Sequence, residues 1–268
     1  MNVGDALRHR HIIERYIMVT IKSKSEIEKM KIAGRITYEA LKTVEAAIKP
    51  GITTAELDRV AADYIKSQGC TASFKGYGGF TGSICASVND EIIHGIPGKR
   101  VLNEGDIISV DVGACYKGYH GDAARTFAVG KISDEAQRLI DVTKQSFFEA
   151  LNYAREGYRI SDISSAVQKY VEKNGFSVLR RYCGHGVGAE LHEDPEVPNY
   201  VTSARGIRMR AGMCICIEPM VCQFDHQAYV ASNEWTVITK DGGLSAHYEN
   251  SVLITKGEPY LLTLPEEK

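Results

Sequence analysis

Apolar side chains recur at helical spacing in four stretches of the chain and gather in short runs between them. The helical stripes and their end signals predict helices at residues 26–47, 54–67, 134–156 and 161–174. The expected caps at their amino-terminal ends are Ser25 (with Glu28 as a capping box), Thr53 or Thr54, Ser133 and Ser161. Runs bounded by turn residues predict strands at 83–88, 107–114, 120–129, 213–220, 228–239 and 245–255.

The second half of the chain resembles the first. Three residues recur at a constant offset of 106: Gly51/Gly157, Tyr64/Tyr170 and Gly69/Gly175. Each half is predicted as two helices followed by strands, which we interpret as an internal duplication with a pocket between the halves. Because helices and strands do not alternate one by one, the pattern predicts an α+β fold.

Composition narrows the classes of function. The chain has 268 residues, of which 44% are hydrophobic and 25% charged, as in ordinary globular proteins. Its formal net charge of −2 argues against general electrostatic binding to nucleic acid or to an anionic membrane. Apolar runs fall short of the roughly 18 residues that span a bilayer. Seven cysteines, an odd number without a C-x-x-C pair, predict reduced thiols and a cytoplasmic protein.

The start of the chain differs from the rest. Residues 1–17 lack the apolar core and small-residue cleavage site of a secretory signal. We expect residues 1–18 to be an N-terminal extension or the product of a wrongly assigned start, with Met18 as the natural start. Residues 19–268 are then expected to form a single catalytic domain.

Acidic residues inside strands are the main chemical signal. Asp111 lies in an apolar run, where a carboxylate is costly to bury unless it is paired or binds a metal. A two-residue hairpin at Lys117-Gly118 places Asp122 diagonally across from Asp111, with Cα atoms about 7–8 Å apart. Two like charges this close need a cation between them or a shared proton. A pair of solvated acids is the alternative, which the apolar neighbours of Asp111 disfavour.

Two further acids and a histidine repeat this signal. Glu218 and Glu249 also lie in strand-like runs, and His185 lies between glycines that allow close approach of a ligand. Four carboxylates and an imidazole suit two divalent ions such as Mn²⁺, Fe²⁺ or Co²⁺ rather than a thiolate-rich structural zinc site. Each residue alone fits a structural role, so the prediction depends on the set. Cys85 and His94 form a weaker candidate, a thiol–imidazole pair.

The set resembles the Asp, Asp, His, Glu, Glu dimetal site of the methionine aminopeptidases. The matching segments are 88–97, 111–122, 184–195, 217–220 and 245–249, and the similarity extends from about residue 19 to 259. The short interval between Glu218 and Glu249 leaves no room for the insertion of the type II enzymes, so the chain resembles the bacterial-style type I. The resemblance implies the pita-bread fold, with two pseudo-symmetric halves around the metal site.

The resemblance also implies roles for individual residues. The metal ligands would be Asp111, Asp122, His185, Glu218 and Glu249, with Zn²⁺ as a further candidate ion. Asp122 and Glu249 would bridge both ions, and Glu218 would also transfer a proton. His192 would stabilise the oxyanion, and His94 would contact the substrate backbone beyond the cleaved bond.

A methionine pocket is implied as well. Its lining would be Tyr77, Phe80, Cys85, Leu191 and Trp235, with Phe74 as a further member. The family usually has Tyr in place of Phe80, Phe in place of Leu191 and Gln in place of His247. The first two changes keep apolar bulk, whereas His247 would add a positive charge that depends on pH. A site for Na⁺ or K⁺ would use the backbone carbonyl groups of Asn89, Glu91 and Ser245.

The implied function is removal of the initiator methionine from nascent proteins whose second residue is small. N-terminal methionine peptides are the expected partners, with no membrane or specific nucleic acid, and the expected state is a monomer. The ribosome is a further partner, although loop 225–240 has only His226 and Lys240 as basic residues. The alternatives are a proline-specific peptidase of the same fold, or a binding module of that fold without catalysis.

Overall fold

The computed structural model describes residues 18–264, so most of the expected extension at residues 1–18 lies outside the described residues. The helices are α1 (Lys24–Ala47), α2 (Thr54–Ser67), α3 (Asp134–Leu151) and α4 (Ile160–Lys173). The strands are β1 (Thr71–Ala72), β2 (Ile84–Val88), β3 (Glu91–Ile93), β4 (Ile107–Tyr116), β5 (Tyr119–Ala128), β6 (Ser177–Val178), β7 (Gly184–Gly186), β8 (Glu193–Val197), β9 (Cys214–Ile217), β10 (Met220–Cys222), β11 (Ala228–Val230), β12 (Val237–Thr239), β13 (Ser245–His247), β14 (Asn250–Leu253) and β15 (Tyr260–Leu261).

The first half packs α1 and α2 on an antiparallel sheet. Strand β4 pairs with β5 along one edge and with β1 and β2 along the other. The apolar faces of the helices and the sheet enclose a core that includes Leu41, Leu57 and Val110. The expected α+β architecture is therefore present in this half.

The second half repeats this plan with α3 and α4. Its main sheet has five strands in the order β15-β14-β9-β7-β8, and its core includes Leu139, Phe147 and Ile215. Two smaller sheets, β13-β10-β6 and β11-β12-β3, complete the structure. Because β3 belongs to the first half and β12 to the second, the last of these sheets joins the halves.

The predicted repeat has a conformational basis. The paired glycines all have left-handed backbones, with φ values of 91° at Gly51 and 96° at Gly157, and of 70° at Gly69 and 79° at Gly175. Glycine adopts this conformation without the steric cost of a Cβ atom. The repeated glycines thus set the same turns at the starts and ends of α2 and α4.

The predicted hairpin between β4 and β5 is confirmed. Lys117 and Gly118 have φ values of 49° and 77°, and Tyr116 lies opposite Tyr119. Two positive φ angles are typical of the tight turns that match strand twist. Asp111 pairs with Ala124 and Asp122 with Gly113, so the two acids are diagonal neighbours on one face.

The expected capping box of the first helix is wrong by two residues. Both Ser23/Glu26 and Ser25/Glu28 fit the pattern, and the structure uses the first pair, with the Ser23 amide donating to Glu26 Oε2 at 2.7 Å. The Tyr119 hydroxyl also donates to Glu26, at 2.7 Å, which favours this start. The choice therefore depends on a residue of β5, far along the chain.

Two helix boundaries in the second half also differ from prediction. Helix α3 ends at Leu151 rather than residue 156, because the amide of Glu156 donates to the Thr255 carbonyl at 2.9 Å. Helix α4 begins after Arg159, whose amide donates to Asp162, so Ser161 lies inside the first turn instead of capping it.

Three of the long predicted strands are interrupted. The runs 213–220 and 245–255 each divide into two strands of different sheets, at Glu218-Pro219 and at Tyr248-Glu249. The Tyr248 amide donates to the Pro219 carbonyl at 3.1 Å where the two runs cross between sheets. The run 228–239 is a hairpin whose turn includes Glu234, with φ of 64°.

We predict that Gly34→Ala destabilises the protein. Alanine normally favours a helix interior by about 1 kcal/mol, but a Cβ atom at Gly34 would lie 2.2 Å from the Leu262 carbonyl oxygen. Overpacking of this kind costs about 1–3 kcal/mol, which urea unfolding can measure. Gly257→Ala is the matched control, because no heavy atom lies within 4 Å of its Cβ position. Equal stability of Gly34→Ala and the parent would contradict the prediction.

Candidate active site

The residues predicted for metal and substrate meet at one cavity between the halves, with a volume of about 160 Å³. Its lining includes Phe74, Tyr77, Phe80, Cys85, His94, Asp111, Asp122, His185, Leu191, His192, Glu218, Trp235, His247 and Glu249. The residues of the expected monovalent-cation site are not among those that line it. Residues from distant parts of the sequence thus form one site.

Three of the four carboxyl groups are buried, and Asp111 is partly buried. Asp122, Glu218 and Glu249 are 3%, 8% and 2% exposed. The side chains of Asp111 and Asp122 hydrogen-bond to each other. Oxygen atoms of Asp111, Asp122 and Glu249 are nevertheless buried without a hydrogen-bond partner. Buried polar atoms are rarely left unpaired, so these oxygens are available to a cation.

Burial is the main cause of the raised pKa values of these acids. It raises the pKa of Asp122 from 3.8 to about 7. Burial, followed by repulsion from neighbouring carboxylates, raises the pKa values of Asp111, Glu218 and Glu249 well above their usual range. Without a cation, the cluster keeps protons at neutral pH because the charged forms are poorly solvated and repel one another.

His185 presents a free nitrogen to the carboxylates. Its Nδ1 lies 2.8 Å from the Gly186 carbonyl oxygen, which can only accept, so Nδ1 carries the proton. Its Nε2 lies 3.8 Å from Asp122 Oδ2 and 3.7 Å from Glu218 Oε1. Burial lowers the pKa of His185 to about 3, so its imidazole is neutral, as metal binding requires.

The residues present fit divalent metal ions. Ligand atoms of Asp122, His185 and Glu249 lie within 4.8 Å of one another, as do those of Glu218, His247 and Glu249. Carboxylates and imidazole are the ligands of Mn²⁺, Fe²⁺ and Co²⁺ sites in proteins. The unpaired oxygens and this donor chemistry together support the expected dimetal site.

Backbone contacts hold the acidic side chains in place. The Ser251 hydroxyl bonds both the amide and the carbonyl of Asp122, at 2.9 Å each. The amide of Glu249 donates to the Ala124 carbonyl at 2.9 Å. Glu218 follows the end of β9, where the buried Asn199 amide donates to its carbonyl at 2.8 Å. Strand β5 of the first half is thereby fixed against Glu249 and Ser251 of the second, whereas Glu218 is held by Asn199.

The other two predicted histidines border the carboxylates. His192 Nδ1 lies 2.7 Å from the Tyr77 hydroxyl, and its ring centre is 4.2 Å from that of His185. His94 has a left-handed backbone, with φ of 59°, and stacks edge-on with Trp235. Burial lowers the pKa of His94 to about 4 and also lowers that of His192, so both side chains are neutral near pH 7.

An apolar cluster forms the remaining wall. Phe74, Phe80, Cys85 and Leu191 are buried together, with Trp235 packed against Phe80 at a ring distance of 5.1 Å. Burial raises the pKa of Cys85 well above its usual range, and its hydrogen bond involves the His94 backbone. Cys85 is therefore a neutral lining residue, and the thiol–imidazole alternative with the His94 side chain is not supported.

Two residues belong to the centre beyond the predicted ligands. The Cys216 sulphur lies within 4.8 Å of ligand atoms of Asp122, His185 and Glu249, and its side chain hydrogen-bonds to Glu249. Burial raises the pKa of Cys216 well above its usual range, so it is present as a thiol, and its Sγ lies 3.5 Å from the Ser251 hydroxyl oxygen. Its strand alternation with Glu218 is the sequence signal that could have indicated this position.

His247 is the second such residue. It is 2% exposed and lies beside Glu218 and Glu249. Burial, followed by the nearby His94, lowers the pKa of His247 to about 3. The positive charge expected from the sequence is therefore absent near neutral pH, because the imidazole is too poorly solvated to hold it.

Comparison with known proteins agrees with this geometry. Residues 28–256 match the model of metallopeptidase family M24. A methionine aminopeptidase of Clostridium acetobutylicum is 56% identical over 93% of this chain and all of its own length. Methionine aminopeptidase 1 of Bacillus subtilis is 49% identical over 89% of this chain and 96% of its own. The chain belongs to the methionine aminopeptidases of family M24.

The family's solved structures share the fold. The crystal structure of methionine aminopeptidase from Thermotoga maritima has a TM-score of 0.91 and 44% identity, and the match covers 92% of this chain and all of that one. The α+β fold with two similar halves, expected from the repeat and the resemblance, is confirmed. The proline-specific alternative is disfavoured, because the relatives named above are methionine aminopeptidases.

The remaining expectations stay predictions. The Ser245 amide donates to the Asn89 carbonyl at 2.8 Å, so these two residues are neighbours, and Glu91 lies in β3 nearby in sequence. The monovalent cation expected there is a prediction, as is contact with the ribosome. Among residues 18–264, no helix is both long and apolar enough to cross a bilayer.

We predict that the metal-free protein holds protons on its buried carboxyl groups at neutral pH. The infrared C=O band of protonated carboxyl groups should be present and should lose intensity when Mn²⁺ is added, because metal ligation requires deprotonated carboxylates. Glu218→Gln should reduce the band in the metal-free state. Absence of the band from the metal-free parent would show that the pKa values are not raised.

Proposed function

We propose that the chain removes the N-terminal methionine from nascent proteins whose second residue is small, with two divalent ions. The observation that carries this proposal is a single cavity with two chemically different walls. One wall is the apolar cluster around Phe80, Leu191 and Trp235, and the other is the buried carboxylate centre. An apolar side chain bound at the first wall would place its own peptide bond beside the second.

The ions would be held by Asp111, Asp122, His185, Glu218 and Glu249. When bound, divalent ions lower the pKa of a coordinated water and polarise the substrate carbonyl group. Fe²⁺, Mn²⁺ and Co²⁺ are the proposed ions, with Zn²⁺ as a further candidate, because the donor set combines carboxylates with imidazole.

Glu218 is the proposed proton carrier. In the metal-free protein, burial and the charges of Asp111 and Asp122 hold its pKa well above the usual range of a glutamate. With ions bound, Glu218 would be a carboxylate, and a carboxylate positioned beside the substrate can accept a proton from water and donate it to the leaving amine. Its Oε1 lies 3.7 Å from His185 Nε2 and its Oε2 lies 3.7 Å from His247 Nε2, and we propose that the reacting carbonyl group binds beside it.

His192 and His94 are proposed to hold the substrate backbone. His192 is oriented by its contact with Tyr77 and would donate to the developing oxyanion from its other ring nitrogen. His94 lies at the Trp235 side of the cavity and would contact the backbone beyond the cleaved bond. Both side chains are neutral, so each can donate from one ring nitrogen.

Specificity would follow from the lining of the cavity. Methionine is unbranched and its thioether packs favourably against aromatic rings, which suits a pocket of Phe80 and Trp235. The α-amine would be bound near Asp111, so that only a chain terminus fits. His94 and His192 line the cavity beside the carboxylates, and we propose that these side chains restrict the second residue to small types.

The compartment, the partners and the oligomeric state of the protein are also part of the proposal. All seven cysteines lie within the described residues and are unpaired, as expected in the reducing cytoplasm. We propose N-terminal methionine peptides as the substrate partners and a monomer as the active form. Ribosome contact would require loop 225–240, of which β11 and β12 form a hairpin.

The substrate assay separates this function from its alternatives. We expect the protein, stripped of metal and reloaded with Mn²⁺ or Co²⁺, to release methionine from Met-Ala-Ser. Release from an Xaa-Pro peptide should be at least about 100-fold slower, and the metal-free protein should be inactive. Preference for Xaa-Pro would support the proline-specific alternative, and no release with any metal would support a binding module.

We predict that Glu218→Gln keeps the fold and lowers kcat for methionine release at least about 100-fold, the usual range for loss of a general acid–base group. The change keeps the size of the side chain but removes its charge and its proton. Glu172→Gln, at an exposed position of α4, is the matched control. Turnover within about threefold of the parent, a barrier change below roughly 0.7 kcal/mol, would exclude Glu218 from this role.

A further inference from the structure

His247 is a buried group of the cavity that the proposed mechanism leaves without a role. Its side chain is 3% exposed, and its Nε2 atom has no hydrogen-bond partner. Leaving such an atom unpaired costs about 1–3 kcal/mol. The other unpaired buried atoms in this cavity belong to Asp111, Asp122 and Glu249, which are proposed metal ligands. Its Nε2 therefore has the same property as the oxygens assigned to the metal.

The position of His247 relative to Glu218 matches that of His185. His185 Nε2 lies 3.7 Å from Glu218 Oε1, and His247 Nε2 lies 3.7 Å from Glu218 Oε2. Each imidazole also lies 3.8 Å from a second carboxylate, Asp122 for His185 and Glu249 for His247. The two histidines thus flank Glu218 with equal spacing.

These distances separate metal ligation from hydrogen bonding. Direct hydrogen bonds between nitrogen and oxygen are about 2.7–3.2 Å long. Two ligands that each lie about 2.0–2.2 Å from one ion are instead roughly 3–4 Å apart. The spacing of His247 from Glu218 and Glu249 lies in the second range.

The backbone of His247 is fixed by its neighbours. Residue 247 pairs with Met220 at the end of β13, and the Thr126 hydroxyl contacts both its amide at 2.8 Å and its carbonyl at 3.0 Å. Thr126 is itself bonded to Ser109 at 2.8 Å. The imidazole is therefore presented to the centre by a strand held on both sides, as ligand residues must be.

We propose that His247 is a further metal ligand, whose Nε2 binds the ion held by Glu218 and Glu249. The inference rests on the proposed dimetal function and adds a second imidazole to its donor set. Imidazole ligands favour Co²⁺, Fe²⁺ and Zn²⁺ over Mn²⁺, whereas carboxylate ligands suit Mn²⁺ well. A second histidine would raise the affinity of the centre and shift its preference toward those ions.

The test uses the full chain, stripped of metal and loaded with one equivalent of Co²⁺ without oxygen. His247→Gln is the variant, since glutamine stands here in the family's usual pattern. His226→Gln is the control, because His226 is half-buried, pairs with Asp225 and does not line the cavity. Proton NMR of the Co²⁺ protein shows a strongly shifted, solvent-exchangeable resonance for each bound imidazole. We expect His247 to contribute one in addition to that of His185, absent from His247→Gln and kept in His226→Gln.

Metal affinity gives the second measurement. We expect the Kd for Co²⁺ to rise at least about tenfold in His247→Gln, and the Kd for Mn²⁺ to rise less. If His247 had only a structural role, the substitution would weaken the binding of both Co²⁺ and Mn²⁺ and would leave the number of bound imidazoles unchanged. X-ray absorption of the parent protein loaded with Co²⁺ counts imidazoles without any variant, so failure of the variant to fold leaves the proposal testable.

The outcomes separate this inference from the proposed function. Equal numbers of shifted resonances in the parent and His247→Gln, or a single imidazole by X-ray absorption, would overturn it. Methionine release by the parent alongside that result would leave the proposed function intact. A parent protein that neither binds Co²⁺ nor releases methionine would instead contradict the proposed function.

Discussion

Four carboxyl groups in one buried cavity impose the constraint on which the rest of this structure depends. Each is costly to ionise away from water, and each raises the cost for its neighbours. Asp111 and Asp122 come from the first half, and Glu218 and Glu249 from the second. A cation between them offsets both costs at once. The two halves therefore meet where their charges could not otherwise be buried together.

The fold holds these repelling groups by contacts of the main chain. Both glutamates lie where the chain passes from one sheet to another. Neither residue is therefore part of a strand that is paired on both sides. Ser251 and Ala124 bind across the boundary between the halves. Because these hydrogen bonds do not depend on the charge of the side chains, the site can be formed before any ion binds.

The same cavity separates recognition from chemistry. Its apolar wall contains Phe80, Leu191 and Trp235, and the neutral thiol of Cys85 adds no charge to it. The opposite wall carries the carboxylates and the neutral imidazole of His185. A substrate side chain is thus selected by packing alone, while the peptide bond beside it meets the polar groups.

Local patterns in the sequence determined much of the fold and part of the site. The Lys117-Gly118 turn sets the register of β4 and β5, so the pairing of Asp111 and Asp122 followed from a two-residue hairpin. The repeated glycines also predicted the two similar halves. A glycine turn is a local signal, because it depends only on the backbone conformation of the glycine itself. Acids within apolar runs and a histidine between glycines indicate the five candidate ligands, the resemblance implies their roles, and the structure brings them to one cavity.

Only the tertiary structure decided which distant residues meet. The first helix starts at Lys24 because the Tyr119 hydroxyl donates to Glu26, the partner of Ser23 in the capping box. Helix α3 ends early because the amide of Glu156, beyond its end, donates to the Thr255 carbonyl. Alternation along one strand indicates that Cys216 accompanies Glu218 and that His247 accompanies Glu249. The approach of Cys216 to Asp122 and of His247 to Glu218 depends on strands crossing between sheets, which that alternation does not encode. Their burial, and hence their neutral state, follows from that crossing, because desolvation is a property of the packed surroundings rather than of the residue.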